Sequence, residues 1–440
     1  MLKRKFEKKL EDWLRTNKAL LVDGARQVGK TYLIEDFCKR HFKNYVYLNL
    51  SLSKGAIEAF SNAETVKDFL MVISSFTNAP LIPSETVIFI DEIELAKEVD
   101  FQTFSKGLVL DGRYRFIFSG SLLGVTEFNI ALEPTGYMYE EIMYPLDFEE
   151  FMWANNVQQP VIDEVKACFA SRREVPKYIH EKLMSLFYAY LLIGGMPEAV
   201  TTYLATNDLN ATSLVHKAIE TYYRKDITKY AEEAERPYIR SAYDLLPSEL
   251  CSKSKRFILS KVGKDYSLKR CENDFLWLKD AGVAIPVYNV DEPKDPLLLS
   301  KNNKLLKLFA NDVGLLCYRL MDTGIRTKIL AREKDINFGA IFENAAAQEL
   351  TCHGFVCDRL FYFASKKQGE VDFLIDYEGE VLPIEIKSGK DYKRHVALDN
   401  LLSNKEYCIK EGFIFGDCNL SKKENKTYFP IYMIGLLKRE

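Results

Sequence analysis

From Lys18 to about Pro145 the chain alternates short apolar runs with segments of helical periodicity. The apolar runs fall at 19–24, 45–50, 86–92 and 114–120, and helical patterns fill 31–42, 66–76 and 101–110 between them. Uninterrupted apolar strands separated by amphipathic helices predict a parallel sheet covered on both faces. Ahead of it, Leu2, Phe6, Leu10 and Leu14 recur every fourth residue among charged side chains, which predicts one further amphipathic helix packed on this domain. Around residue 150 the pattern changes to long helical stretches, 176–200 and 213–232, with few strand-like runs. A helix feeding two strands follows across 272–312, the order of a winged helix. The last segment opens with a helical pattern at 338–355 and continues with strands at 360–365, 370–380 and 380–389, a separate small α/β unit.

The expected fold is therefore α/β, in four parts: a parallel-sheet core over 1–150, a helical lid over 151–235, a winged-helix-like domain over 236–330 and a small α/β domain over 331–440. A length of 440 residues accommodates this and excludes a single small binding module. No internal repeat or glycine-rich or proline-rich linker is present. With 60 basic against 63 acidic side chains, a wholly basic nucleic-acid coat is excluded, although a local basic patch is not. Nine cysteines without a C-x-x-C pair argue against a disulfide framework or a zinc ribbon. No run of about 18 apolar residues offers a membrane span and no signal peptide opens the chain, so the expectation is a cytoplasmic protein without a membrane partner.

Candidate chemistry is densest at Gly24-Ala25-Arg26-Gln27-Val28-Gly29-Lys30-Thr31, a complete G-x-x-x-x-G-K-T between a strand and a helix. The two glycines permit a tight, partly left-handed loop whose N–H groups converge on a β-phosphate, and the following helix adds its positive end. Lys30 would neutralise the β- and γ-phosphates and Thr31 would bind Mg2+ through its hydroxyl. The strand 86–90 ends in Asp91-Glu92, two carboxylates at the carboxyl edge of a parallel sheet. Asp91 would hold Mg2+ through water, and Glu92 would orient or deprotonate the attacking water. Ser119 and Ser121, after the strand 115–118, are further candidates for the γ-phosphate or that water, in what is otherwise an ordinary Ser-Gly-Ser turn.

These motifs, together with Tyr144-Pro145-Leu146-Asp147-Phe148-Glu149-Glu150-Phe151, resemble a prokaryotic AAA-type P-loop ATPase family related to the signal-transduction (STAND-like) ATPases, whose members carry a carboxy-terminal domain of unknown function. The likeness covers most of the chain. It implies ATP and Mg2+ as cofactors and a lid motif that touches nucleotide. Gly194-Gly195-Met196-Pro197 is similar to that motif, which implies that Pro197 helps sense the bound nucleotide. Gly136-Tyr137 stands where the family usually has Gly-Arg, which leaves a γ-phosphate arginine unaccounted for. Arg224 is a substitute candidate, as well as a candidate for a simple intrahelical ion pair.

A second constellation lies near the carboxyl terminus. Asp372 in the strand 370–375 precedes Ile384-Glu385-Ile386-Lys387, where alternation sets Glu385 and Lys387 on one face, and Glu343 on the helix 341–350 could add a carboxylate. Across 337–410 this resembles a PD-(D/E)xK nuclease fold, in which Glu343, Asp372 and Glu385 would hold divalent metal and Lys387 would sit at the scissile phosphate. The alternative is opposite charges paired across edge strands. Lys366, Lys367, Lys390, Lys393, Arg394 and His395 would favour a phosphate backbone, or form a solvated face. The expected activity is Mg2+-dependent ATP hydrolysis driving a switch in the carboxy-terminal domain. The alternatives are an ATP-regulated DNA-binding protein or nuclease, and an ATP-gated interaction protein with a protein partner. Assembly into oligomers is compatible with all three.

Overall fold

The computed structural model describes residues 2–120, 136–231, 233–252, 255–257, 261, 275–333, 339–356, 359–389 and 392–439. The chain divides into two compact units: Arg4–Tyr144 with Asp280–Gly282, and Met1–Lys3, Pro145–Lys279 and Val283–Glu440.

The first unit holds a five-stranded, all-parallel sheet of β1 (Ala19–Asp23), β2 (Asn44–Asn49), β3 (Thr86–Asp91), β4 (Arg115–Ser119) and β5 (Met138–Ile142) in the order β2-β3-β4-β1-β5. Every residue of β1 and β3 is buried, which is why both read as continuous apolar runs. The helices α1 (Phe6–Leu14), α2 (Lys30–His41), α3 (Lys54–Ser61), α4 (Val66–Phe76) and α5 (Phe101–Asp111) complete the unit. Aromatic rings from three of these elements and from β4 build one side of the core: Phe60, Phe69, Phe101 and Phe118 lie in successive contacts with centroids 4.5 to 6.2 Å apart. The amphipathic α1 buries Phe6 and Leu10 of the predicted stripe together with Trp13, while Leu2 and Leu14 are only partly buried. β5 was not foreseen: with the sequence Met-Tyr-Glu-Glu-Ile and no fully buried residue, it is a polar edge strand without an apolar signature.

The second unit combines a helical region with an eight-stranded mixed sheet. The helices are α6 (Phe148–Ala154), α7 (Gln159–Ser171), α8 (Lys177–Ile193), α9 (Pro197–Thr206), α10 (Leu209–Tyr230), α11 (Arg236–Leu250), α12 (Val313–Leu320) and α13 (Thr323–Leu330). The sheet contains β6 (Ala284–Val290), β7 (Lys301–Ala310), β8 (Phe361–Ser365), β9 (Gly369–Tyr377), β10 (Glu380–Lys387), β11 (Gly412–Gly416), β12 (Ser421–Lys423) and β13 (Lys426–Pro430). Their order is β12-β13-β11-β10-β9-β8-β6-β7. α14 (Gly339–Cys352) and α15 (Val396–Ser403) pack on it.

The expected winged-helix hairpin is corrected here. β6 and β7 do pair antiparallel, but β6 also pairs parallel with β8, so the hairpin is an edge of the carboxy-terminal sheet rather than a free wing. The physical reason is burial: all seven residues of β6 are buried, a state that calls for neighbours on both sides. The part of this expectation that falls on 253–254, 258–260 and 262–274 lies outside the described residues.

The helical region and the sheet are joined by buried polar groups on α14. Asn344 exchanges two hydrogen bonds with the backbone of Ala310, Gln348 accepts from Val313 N, and Glu349 accepts from Phe148 N and from the Tyr190 hydroxyl, all at 2.7 to 3.1 Å. The Gly194-Gly195 turn is a second junction. Asp312, the N-cap of α12, accepts from Gly195 N at 2.6 Å, and Gly195 O accepts from Leu146 N at 2.7 Å. A Cβ on Gly195 would stand 2.1 Å from Leu146 O and one on Gly194 2.2 Å from Asp312 Oδ1, so neither position has room for a side chain. Both atoms that would be struck are held in hydrogen bonds or backbone and cannot yield cheaply.

This predicts that Gly195→Ala destabilises the second unit by about 1–3 kcal/mol of overpacking cost, read as a lower urea midpoint. Gly389→Ala, at a position with nothing within 4 Å, stays within about 0.5 kcal/mol of the parent. Equal losses from the two substitutions would contradict the packing account.

Candidate functional site

In the first unit, β1 runs into a loop that enters α2 at Gly29, whose φ of 91° lies in the left-handed region together with Gln27 at 68°. Gly24 at the start of the loop has φ 153°, and a Cβ there would be 2.2 Å from Met143 O. The loop must pass this close because Met143 N donates to Asp23 O at 2.7 Å, tying the end of β5 to the end of β1. Val28 is fully buried, and its carbonyl accepts from Arg4 Nη1 at 3.0 Å while Arg4 Nη2 donates to Tyr144 O at 2.7 Å. Lys30 Nζ donates to the loop carbonyls of Gly24 and Ala25 at 2.8 and 3.0 Å. The loop therefore has the backbone shape that the motif Gly24–Thr31 predicts.

Asp91, at the carboxyl end of β3, is 2 % exposed and collects donors from four directions. Thr31 Oγ1 donates to its Oδ2 at 2.8 Å and the Tyr47 hydroxyl at 3.1 Å; Glu92 N donates to Oδ1 at 3.0 Å, and the Ser119 hydroxyl donates to the same oxygen. Thr31 and Asp91 are thus adjacent hard oxygen donors, the set that Mg2+ prefers, and they fit the ion that accompanies ATP in such loops.

Ser119, expected to meet the γ-phosphate or the attacking water, is fully buried and donates its hydroxyl to Asp91, a contact through which it would position that carboxylate. Ser121 lies outside the described residues.

Glu92 sits in the left-handed region at φ 59°, a conformation costing roughly 1–2 kcal/mol for a non-glycine residue. Its carboxylate lies 3.6 Å from Arg26 Nη2. Burial and then the neighbouring Glu94 raise its pKa above the usual carboxylate range, with Arg26 opposing. Asp23, the last residue of β1, is pushed up to about 7 by burial, with Lys30 opposing and Glu94 and Glu140 adding. Burial lowers the Lys30 pKa against the pull of Glu94, Asp23, Asp91 and Glu92. A Cβ on Gly120 would be 2.9 Å from Glu94 Oε2 and 3.9 Å from Asp23 Oδ1, so both carboxylates border the same point at the end of β4.

Arg4, Asp23, Tyr47 and Glu94 were not singled out by sequence reasoning. Only Asp23 and Glu94 carried a signal, each a charge beside a motif already recognised.

Pro197 belongs to the second unit, at the first turn of α9. Its partial burial there and the tight Gly194-Gly195 packing give this turn a structural account of its own. Arg224 takes the ion-pair reading, at 2.7 Å from Asp244 Oδ1 and 3.9 Å from Glu220 Oε2.

The second unit brings together all four residues of the nuclease expectation, with three more that sequence reasoning missed. Glu343 projects from α14, Asp372 and Glu370 from β9, and Glu385 and Lys387 from β10. Asp372 Oδ2 accepts from Ile386 N at 2.8 Å, and Lys387 Nζ donates to Glu385 Oε1 at 2.7 Å. Lys307, from β7, enters among the carboxylates: its Nζ is 2.7 Å from Glu370 Oε1, 3.9 Å from Glu343 Oε2 and 4.0 Å from Asp372 Oδ1. Lys255 bonds the other oxygen of Glu343. Burial, followed by the Asp372 charge, raises the pKa values of Glu343 and Glu385.

The metal role expected of Glu343, Asp372 and Glu385 meets an obstacle in this arrangement: the Lys307 ammonium stands among the carboxylates, 3.9 Å from Glu343 Oε2 and 4.0 Å from Asp372 Oδ1. The basic patch also shrinks, because His395 is buried, with its ring nitrogens on Asp399 and the Tyr428 hydroxyl. Lys390 lies outside the described residues. No single helix among those residues is long and apolar enough to cross a membrane.

Residues 16–152 match the AAA domain family, 184–326 a domain of unknown function (DUF8612) and 338–434 another (DUF4143). The chain therefore carries an AAA-family P-loop ATPase domain followed by two domains whose role is open. The uncharacterized protein MJ1544 of Methanocaldococcus jannaschii is 25% identical over 375 residues, covering 83% of this chain and 74% of that protein. Among solved structures, the Walker-type ATPase PABY2304 of Pyrococcus abyssi is similar at 16% identity and a TM-score of 0.42, covering 73% of this chain and 96% of that one.

If Ser119 acts only through Asp91, Ser119→Ala leaves ATP binding without divalent cation unchanged. It raises the Mg2+ concentration for half-maximal turnover roughly tenfold, the loss of one charge-assisted hydrogen bond. A Mg2+ titration of phosphate release reads this, and an unchanged half-saturation point would contradict the positioning role.

Proposed function

We propose that the chain hydrolyses ATP in its first unit and uses the nucleotide state as a switch on the second. The observation that carries the reading is the 2.8 Å bond between Thr31, on the first turn of the loop's helix, and Asp91 at the end of β3, with Glu92 next in sequence. It supports a site in which the two hard oxygen donors and the water-activating carboxylate share one sheet edge.

In this reading the loop N–H groups and Lys30 hold the β- and γ-phosphates, which requires Lys30 to leave the carbonyls of Gly24 and Ala25 for the incoming oxygens. Thr31 and Asp91 hold Mg2+, which when bound offsets negative charge on the phosphates. Glu92 accepts the proton of the attacking water as its oxygen bonds to the γ-phosphorus and the bond to ADP breaks. Arg26 keeps that carboxylate oriented at 3.6 Å. Pro197, in the helical region, is the candidate sensor of nucleotide state. Contacts made only by the γ-phosphate provide the difference between the two states. The partner on which the switch acts is a protein or a nucleic acid.

The alternative, a metal-dependent nuclease in the carboxy-terminal domain, is favoured by the convergence of Glu343, Asp372, Glu385 and Lys387, and opposed by Lys307 among them. The ATPase reading does not depend on it.

Lys30→Ala is expected to weaken ATP binding at least a hundredfold. Glu92→Gln keeps the dissociation constant within about threefold while phosphate release falls by about 10²–10⁴. Equilibrium binding and phosphate release, measured on the same preparations, test both, and equal turnover in Glu92→Gln and the parent would sink the assignment.

A further inference from the structure

Lys307 is an unusual residue by burial alone. It is wholly inaccessible, on a strand where Leu306, Leu308, Phe309 and Ala310 around it are also buried. Lysine is almost never fully buried unless it is paired, because removing an ammonium from water costs several kcal/mol even after relaxation. Here three carboxylates and an aromatic face surround it. Glu370 lies at 2.7 Å, Glu343 at 3.9 Å and Asp372 at 4.0 Å, and the Tyr362 ring centroid is 5.0 Å from Nζ. These groups come from α14, β8 and β9, three elements other than its own strand.

Without a cation the cluster would not be stable as charged carboxylates. Glu343 and Asp372 repel one another, and Glu385 feels both. A shared cation resolves this, and a protein has two ways to supply one: a bound metal ion or a side chain. Lys255 and Lys387 already cover one oxygen each of Glu343 and Glu385. With Lys307, three ammonium groups face the four carboxylates of Glu343, Glu370, Asp372 and Glu385. That near balance leaves little attraction for a further two positive charges. Two carboxylate oxygens, Glu343 Oε2 and Glu385 Oε2, are buried without a hydrogen bond; the first faces the Lys307 ammonium at 3.9 Å, so a metal ion there would have to displace that charge.

We infer that Lys307 is the resident cation of this cluster, a side chain in the place that a divalent ion would need, and that the carboxy-terminal module is thereby closed to metal-dependent chemistry. The module keeps the carboxylates as internal counter-ions of a fixed lysine. This is independent of the ATPase reading, since no residue of the first unit takes part.

The test is Mn2+ binding to the nucleotide-free full-length chain, followed by calorimetry and by the electron paramagnetic resonance signal of free Mn2+, on the parent, Asp372→Asn, Lys307→Met and the double variant. The expected result is that Asp372→Asn changes nothing in the parent's Mn2+ binding. Lys307→Met gains one site at least tenfold tighter than any in the parent, and the double variant loses it. Thermal unfolding gives a second readout: millimolar Mn2+ raises the melting temperature of Lys307→Met by several degrees and leaves the cluster's contribution to the parent unchanged, so that parent and Asp372→Asn shift equally. Should Lys307→Met fail to fold, the parent and Asp372→Asn decide alone. Mn2+ binding by the parent that Asp372→Asn abolishes would overturn the inference, as would a folded Lys307→Met that gains no site.

Discussion

The carboxylate of Asp91 is the point on which the first unit's site depends. It receives hydroxyls from α2, β2 and β4 and a backbone N–H from its own strand's end, so four segments separated by up to 88 residues of sequence are fixed against one buried group. A buried carboxylate with fewer donors would cost more to keep charged than it could return. Those same hydrogen bonds aim its oxygens at the place where the loop's helix begins. The phosphate loop is in turn shaped from outside: Arg4 holds the Val28 carbonyl, and Met143 presses on Gly24 closely enough that only glycine fits. The nucleotide site is therefore a property of the whole sheet edge rather than of eight consecutive residues.

The second unit solves a similar electrostatic problem in a different way. Where the first unit leaves adjacent oxygen donors for an ion to join, the carboxylates of Glu343, Glu370 and Asp372 converge on an ammonium that the chain supplies itself. Around this cluster the polar face of α14 links the helical region to the sheet through Asn344, Gln348 and Glu349, each bonded to backbone that would otherwise be buried and unpaired. The two domains of unknown function thus share one continuous hydrogen-bonded core.

The parts of this architecture that were legible in sequence are those with a local signature. The strands β1, β3 and β4 read as apolar runs because both their faces are covered, and the loop from Gly24 to Thr31 reads because its chemistry is contiguous. β5 was hidden because a polar edge strand resembles a loop. The β6–β7 hairpin was misassigned because a free wing and a sheet edge look alike locally; the difference is β8, whose Phe361 pairs with Tyr288 of β6 more than seventy residues earlier. The carboxylates of Glu343, Asp372 and Glu385 were found by spacing, but Lys307 was not, although a lysine inside the apolar run Leu305–Ala310 is itself a sign of a buried charge with partners elsewhere. Pairings over such separations have no pattern in a single sequence.

The central claim is that the oxygen donors gathered on Asp91 form a working Mg2+–ATP site. Release of inorganic phosphate from ATP by the purified full-length chain, measured as Mg2+ is raised from zero in excess chelator to millimolar, tests it most directly. The account predicts no turnover without Mg2+ and saturable turnover with it. ATP turnover that is indifferent to Mg2+, or absent at every concentration, would contradict it.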